Sequence, residues 1–347
     1  MKRLLHNLAP ALILIVMAAA GWLLYRQLQG YNWKDLHEAW QELPAWRIWA
    51  ALTLTVISYI VLIGYDFLAV RSIGHPLPLR KIAFGSFIGF SISYTFGALL
   101  GGTSVRYRMY SSWGLTTIEI LRLIVTVGTT FWLGVFALGG VLFIIDPFEI
   151  PDELDSLHLP FRTILPLGLA LLGLTAAYFV IVAAWRKPLK VRGQDVRLPG
   201  VRMSAAQIGV AALDFAVAAL CLYVLLPEDM PMSYSRFLAV YMLAWVAVVV
   251  THVPGGLAVF DLVIISLCPE SRRDSVAVAL ATYRVIYYLL PTFIALPMFL
   301  LHEATVRDSA TNRLVKRLFG ESTWTGDAAS DAPPPPPIPS ENAPPPG

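Results

Sequence analysis

Apolar runs of about 20 residues, the length a helix needs to cross a hydrocarbon core of about 30 Å, recur from one end of this chain to the other, separated by short polar connectors. They fall at Leu8–Tyr25, Ile48–Ala69, Ile82–Leu100, Ile118–Ile145, Ile164–Trp185, Ser204–Leu226, Tyr234–Thr251 and Ser275–Leu301. A further apolar segment, Leu257–Cys268, is too brief to span. No alternating barrel pattern is present, and open strands cannot satisfy their backbone groups in lipid. The pattern therefore predicts an all-α, polytopic integral membrane helical bundle of about eight spans.

Two stretches need a choice of reading. The amino terminus begins like a signal peptide, with Lys2, Arg3 and Ala18-Ala19-Ala20, but its apolar run continues through Trp22, Leu23 and Leu24 to Tyr25, so it reads as a first anchor helix. The segment NWKDLHEAWQEL places Trp33, Leu36, Trp40 and Leu43 at three- and four-residue steps. That spacing suits an amphipathic helix at the interface; a connector with incidental aromatics is the alternative.

Loop charge sets the expected orientation. The linker from Arg186 to Arg202 carries Arg186, Lys187, Lys190, Arg192, Arg197 and Arg202 against Asp195, and should be cytoplasmic. Lys2, Arg3, Arg71, Arg80 and Lys81 put the amino terminus and the second linker on the same side, whereas Asp146 to Asp155 is acidic and should face the other way. Full crossings do not alternate with these assignments. The conflict disappears if Ile82–Leu100 and the Gly101-Gly102 turn form a re-entrant hairpin, and if Leu257–Cys268 after Gly255-Gly256 supplies a second half-crossing. Paired glycine or proline interruptions in the two halves point to a transport site in an inverted repeat; ordinary small-residue packing of helix pairs is the rival. After residue 302 the chain turns basic and then proline-rich, so 303–347 is expected to be a disordered cytoplasmic tail attached to a 1–302 transmembrane domain.

Composition agrees with this reading. Hydrophobic residues make up 57% of the 347 and charged residues 14%, and the mean hydropathy of +0.65 is too high for one soluble core with its polar cover. A net charge of +3, distributed by membrane side, suggests no nucleic-acid partner. Cys221 and Cys268 sit in apolar runs without metal-ligand or redox spacing, so core packing is expected, with no metal and no cofactor.

Ionisable groups inside apolar spans each need a reason, because insertion costs about 2.5–3.5 kcal/mol. Asp66, Glu119, Arg122, Asp214, Asp261 and Arg284 qualify. Glu119 and Arg122, three apart, are expected to pair on one helix face, and Asp214 and Arg284 to pair across two helices. The segment GALLGGTSVRYRMYSSWG joins Gly101 and Gly102 to Arg106, Tyr107, Arg108 and Tyr110, a combination of flexible backbone, guanidinium forks and phenols suited to a phosphate-bearing headgroup. A basic cytoplasmic loop would read the same way. Its counterpart THVPGGLAVFD has Pro254, Gly255 and Gly256 breaking a helix before Asp261. His252 stands beside that break, and no nucleophile elbow, paired carboxylates or phosphate loop supports an enzyme.

The motifs LLGGTSVRYRMYSSWGL, HVPGGLAVFD and ATYRVIYYLLP, in that order, resemble the lysylphosphatidylglycerol synthase transmembrane-region family, which includes the YbhN-like proteins and the flippase half of MprF. The resemblance covers about Leu8 to Leu301. It implies an inner-membrane domain associated with moving phospholipids, among them aminoacylated phosphatidylglycerol. It also singles out Gly101, Gly102 and Arg106, then Pro254, Gly255 and Gly256, then Arg284, Tyr287 and Pro291. The chain departs from the family in SISYTFGALLGG, where relatives often carry Asn and Pro ahead of the glycines, and in Asp261, where Glu is common. A proline-rich tail stands where synthases continue into an aminoacyl-transfer domain.

The leading expectation is a lipid transporter or flippase-like inner-membrane protein with amino terminus and tail cytoplasmic. Arg106, Arg108, Tyr110, Arg284 and Tyr287 would line the headgroup site, and Gly101, Gly102, Pro254, Gly255, Gly256 and Pro291 would form the breaks. Its partners would be membrane phospholipids. The alternatives are a membrane subunit scaffolding a separate lipid-modifying enzyme, or an integral-membrane enzyme.

Overall fold

The computed structural model describes residues 34, 41, 43–97, 101–149, 163–184, 189–191, 194–196, 199–251 and 257–319. The expected anchor Leu8–Tyr25, nearly all of the expected interfacial helix, and Pro254, Gly255 and Gly256 lie outside the described residues.

The first long helix, α1 (Ala45–Ile73), starts after Pro44 and stops at Gly74, whose φ of 79° supplies a left-handed cap with its N–H on the Val70 carbonyl. Helix α2 (Leu79–Phe96) starts after Pro78 and ends at Gly97, again at positive φ. Helix α3 (Thr103–Ser112) folds back on α2. Their contacts run in opposite directions: a Cβ on Gly102 would strike Ser93, one on Gly89 would meet Arg106, and one on Gly85 would meet Trp113 and Tyr110. Rising numbers on one helix match falling numbers on the other, so the chain reverses at the glycines and residues 79–112 form a helical hairpin. Gly101 and Gly102 let the backbones approach; a Cβ on Gly102 would overlap Ser93 Oγ.

Helix α4 (Thr117–Gly134) begins with a capping box in which Glu119 accepts from the Thr116 amide at 2.7 Å and Thr116 Oγ1 accepts from the Glu119 amide. It continues through a π-helical turn at Val135–Gly139 into α5 (Gly140–Ile145). Glu119 also reaches His75 at 3.3 Å, so the expected Glu119–Arg122 pair gives way to a helix cap. The Thr116-x-x-Glu119 signature, four residues at a helix start, decides it. Helix α6 (Leu165–Ala184) stands between the halves. It is followed by a small antiparallel pair, β1 (Leu189–Val191) and β2 (Gln194–Val196), within the basic linker.

The second half repeats the order of the first. A long helix, α7 (Val201–Leu225), precedes an 18-residue helix, α8 (Tyr234–Thr251), a Gly-Gly segment and the 10-residue α9 (Leu257–Ser266). Then comes α10 (Arg273–Tyr283), a π-helical segment at Arg284–Leu289, and α11 (Leu290–Phe319). The lengths correspond to 29, 18 and 10 residues for α1, α2 and α3, with a π turn in the helix that follows. Phe260 lies 5.3 Å from Tyr241 between ring centroids, although 19 residues of continuous helix would carry it about 28 Å away. So α9 folds back on α8 as α3 does on α2.

Among the described residues five helical stretches are long and apolar enough to cross a membrane: Ala45–Ile73, Thr117–Ile145, Leu165–Ala184, Val201–Leu225 and Glu270–Val306. Their outward residues, among them Val56, Ile60, Val125 and Val180, are more than half exposed, as lipid-facing side chains are. The expected spans Ile82–Leu100 and Tyr234–Thr251 appear as the first arms of hairpins. Buried residues of α7, α8, α9 and α10 form the largest core cluster, and those of α1, α2 and α4 a second. Two compact units are present, Met1–Leu301 and His302–Gly347. Within the second the described residues remain helical to Phe319, so the tail expected from residue 303 begins as helix.

Candidate functional site

Each hairpin holds one buried aspartate–arginine pair. In the first, Arg106 on α3 donates through Nε and Nη2 to the two oxygens of Asp66 on α1, both at 3.1 Å, a two-pronged contact of fork on carboxylate. The Tyr110 hydroxyl adds a bond to Asp66 Oδ1 at 3.0 Å. The guanidinium lies 4.3 Å above the Phe90 ring on α2. Gly89 makes room for it, since a Cβ there would lie 3.1–3.2 Å from Arg106 atoms. In the second, Arg284 Nη2 donates to Asp261 Oδ1 at 2.6 Å, and Asp261 Oδ2, also buried, has no hydrogen-bond partner. The signs are exchanged between the halves: the arm after the Gly-Gly carries arginine in the first and aspartate in the second.

The expected pair of Asp214 with Arg284 is therefore replaced. Arg284 is held by Asp261, twenty-three residues away on the returning arm, and Asp214 accepts from Ser58 Oγ at 3.0 Å and the Tyr65 hydroxyl at 3.1 Å. Tyr287 stands within reach of both systems. Its hydroxyl is 2.7 Å from Ser58 Oγ and its ring stacks on Tyr283 at 5.0 Å. Tyr283 in turn meets the Tyr241 hydroxyl at 3.1 Å. Tyr94 on α2 contacts Tyr287 and Tyr288, so the first hairpin abuts the π-helical segment. Thr292, donating to the Ser91 carbonyl at 2.9 Å, fixes the same contact.

The π segment has a covalent cause. Pro291 has no N–H for the carbonyl of Tyr287, four residues earlier, and the helix widens ahead of it. That carbonyl accepts from the Tyr59 hydroxyl at 3.3 Å instead. The expected break at Pro291 is thus a bulge inside a continuous helix, and it sets Arg284 and Tyr287 on the inward face.

Of the predicted headgroup residues, Arg106, Tyr110, Arg284 and Tyr287 are buried, and Arg108 is exposed on the outer face of α3. Arg122 is half-buried. The tyrosine and serine partners on α1, Ser58, Tyr59 and Tyr65, escaped the sequence reading. Their signal was present as Thr55, Ser58 and Tyr65, at steps of three and seven on one face of an otherwise apolar helix. A pocket of about 270 Å³ lies apart from both pairs, lined by Arg47, Glu228, Asp229 and Arg272. Arg47 bonds Glu228 at 2.9 Å, and Arg272 bonds Asp229.

No family model matches the sequence. The chain is 37% identical over 293 residues to the uncharacterized protein slr0712 of Synechocystis, covering 83% of this chain and 89% of that one. It is 30% identical over 279 residues to the inner membrane protein YbhN of Escherichia coli, covering 80% and 86%. At 25% identity over 311 residues it matches a phosphatidylglycerol lysyltransferase of Staphylococcus haemolyticus, covering 85% of this chain but 34% of the enzyme.

Proposed function

This chain belongs to the family of the inner membrane protein YbhN, whose sequence likeness extends to about a third of the length of phosphatidylglycerol lysyltransferases, and from that premise we propose that it is a multi-pass inner-membrane protein that carries phospholipids between leaflets. The observation that supports this reading most is the pair of hairpins, each with a buried arginine compensated by an aspartate. A guanidinium inside a bilayer needs a counter-ion. The aspartates fill that role while the site is empty, and a lipid phosphate takes their place, accepting the same donors. Asp261 Oδ2, an unpartnered acceptor, suits a hydroxyl or ammonium of the same headgroup. Acyl chains stay in lipid along the exposed apolar faces.

Loop charge supports opposed hairpins. With each hairpin returning to the side it came from, each half crosses twice and α6 once, so the second half is inverted relative to the first. The basic linker and the carboxyl end are then cytoplasmic with the amino terminus, and the acidic loops at 146–155 and 228–229 face outward. Hairpin one opens to the cytoplasm and hairpin two to the other side, an arrangement suited to alternating access.

The test is lipid translocation in vesicles containing the full chain, a headgroup-labelled phospholipid and a membrane-impermeant quencher. Wild type should expose inner-leaflet lipid faster than protein-free vesicles, and the double variant Asp261→Asn with Arg284→Gln should fall to the protein-free rate. Equal rates for wild-type and empty vesicles would refute the reading.

A further inference from the structure

Among the described residues, Asp214 is the buried aspartate that the two hairpin ion pairs leave out. It stands in the middle of α7, 4% exposed, where an ionised carboxylate is costly unless a cation accompanies it. The arginines buried in the hairpin pairs are engaged with Asp66 and Asp261. Asp214 instead has two hydroxyls, Ser58 and Tyr65. The titratable groups around it are phenols from every side: Tyr59 and Tyr65 on α1, Tyr94 on α2, Tyr241 on α8 and Tyr287 in the π segment. From α4 the neighbours that meet α7 are Phe131, against Phe215, and Thr130, bonded to Gln207. We infer that Asp214 binds the proton that drives the transport cycle, taking it from water on one side of the membrane and releasing it to the other. This inference rests on the lipid-carrying reading.

The hydrogen-bond chain shows how one proton would be felt at the hairpins. Ser58 has a single O–H. With Asp214 ionised, that O–H points to Oδ1, and Ser58 Oγ must accept from Tyr287, 2.7 Å away. With a proton on Oδ1 the acid becomes the donor to Ser58, and the Ser58 O–H is released to donate to Tyr287. The Tyr287 proton then turns to another acceptor. One protonation thus reverses the polarity of a contact that joins α1 to the π segment, three residues from Arg284 and in ring contact with Tyr94 of the first hairpin. No bond between heavy atoms breaks: a proton enters at Oδ1 and a proton leaves from it.

The experiment combines two readouts on the full chain in lipid vesicles. Infrared difference spectra between acidic and alkaline buffer should show the carbonyl band of a buried carboxylic acid that titrates, shifts in Asp214→Glu and disappears in Asp214→Asn. Lipid translocation should respond to an imposed pH gradient in wild type, and that response should be lost in Asp214→Asn. No titrating band from Asp214 in the wild type overturns the proton site, however the variants fold, and so does an equal gradient response in wild type and Asp214→Asn. A titrating band in a protein that moves no lipid upholds the proton site and sinks the lipid reading alone.

Discussion

Arg106 and Arg284 make their buried contacts with carboxylates brought from other parts of the chain, and that fixes how substitutions there should behave. Removing one member of a buried pair strands the other and costs about 3–5 kcal/mol, whereas replacing both by apolar groups of similar size is often near neutral. Arg284→Met alone should therefore lower the thermal midpoint in detergent far more than Asp261→Leu with Arg284→Met together. The double variant should stay folded yet carry no lipid. If it is as unstable as the single, the pair holds more of the fold than its geometry implies. The sequence made Asp66, Asp261 and Arg284 visible as intramembrane charges, because each interrupts an apolar run, and Arg106 visible through the segment after Gly101-Gly102. It did not reveal who pairs with whom. Asp66 and Arg106 are 40 residues apart and Asp261 and Arg284 are 23 apart, and only the reversal of each hairpin decides which charges meet.

At the scale of the element, the hairpin was legible and its reason is glycine. Loop charges required a chain reversal at Gly101-Gly102, and the contacts of α2 with α3 follow from the absence of side chains there. Gly102→Ala should force the arms apart, since Ser93 Cβ lies 2.9 Å and the Gly89 carbonyl 3.2 Å from the added atom even if the Ser93 hydroxyl turns away. A loss of about 1–3 kcal/mol is expected. Gly128→Ala on α4, where the added atom has open space, should instead stabilise by about 1 kcal/mol. Thermal unfolding of the two variants side by side measures the contrast, and equal shifts would contradict the close approach. The π segments were not legible as such. Pro291 announced an interruption, but whether a proline kinks a helix, ends it or widens it depends on what donates to the freed carbonyl, and here the donor is the Tyr59 hydroxyl on a distant helix.

For the whole molecule, the correspondence of α1 to α5 with α7 to α11 was foreshadowed by two Gly-Gly breaks and little else, because repeats that share lengths and bends need not share residues. If the halves are inverted, single cysteines at Gly114, beside the mouth of the first hairpin, and at Met230, before the second, should label from opposite sides of intact vesicles. The background would have Cys221 and Cys268, both buried, replaced. Labelling of both from one side would overturn the arrangement.

The exchange of signs between the hairpins has an electrical consequence. An arginine moving alone through the membrane would feel the transmembrane potential, about 2.3 kcal/mol for each elementary charge across about 100 mV, and an aspartate moving alone would feel the opposite pull. A pair that travels whole is electroneutral and feels none. For the hairpins to move without electrical work, each must travel with the helix that carries its counter-ion, Asp66 on α1 for the first and Arg284 beyond α10 for the second, whereas parting the charges along the membrane normal would couple the motion to the membrane potential.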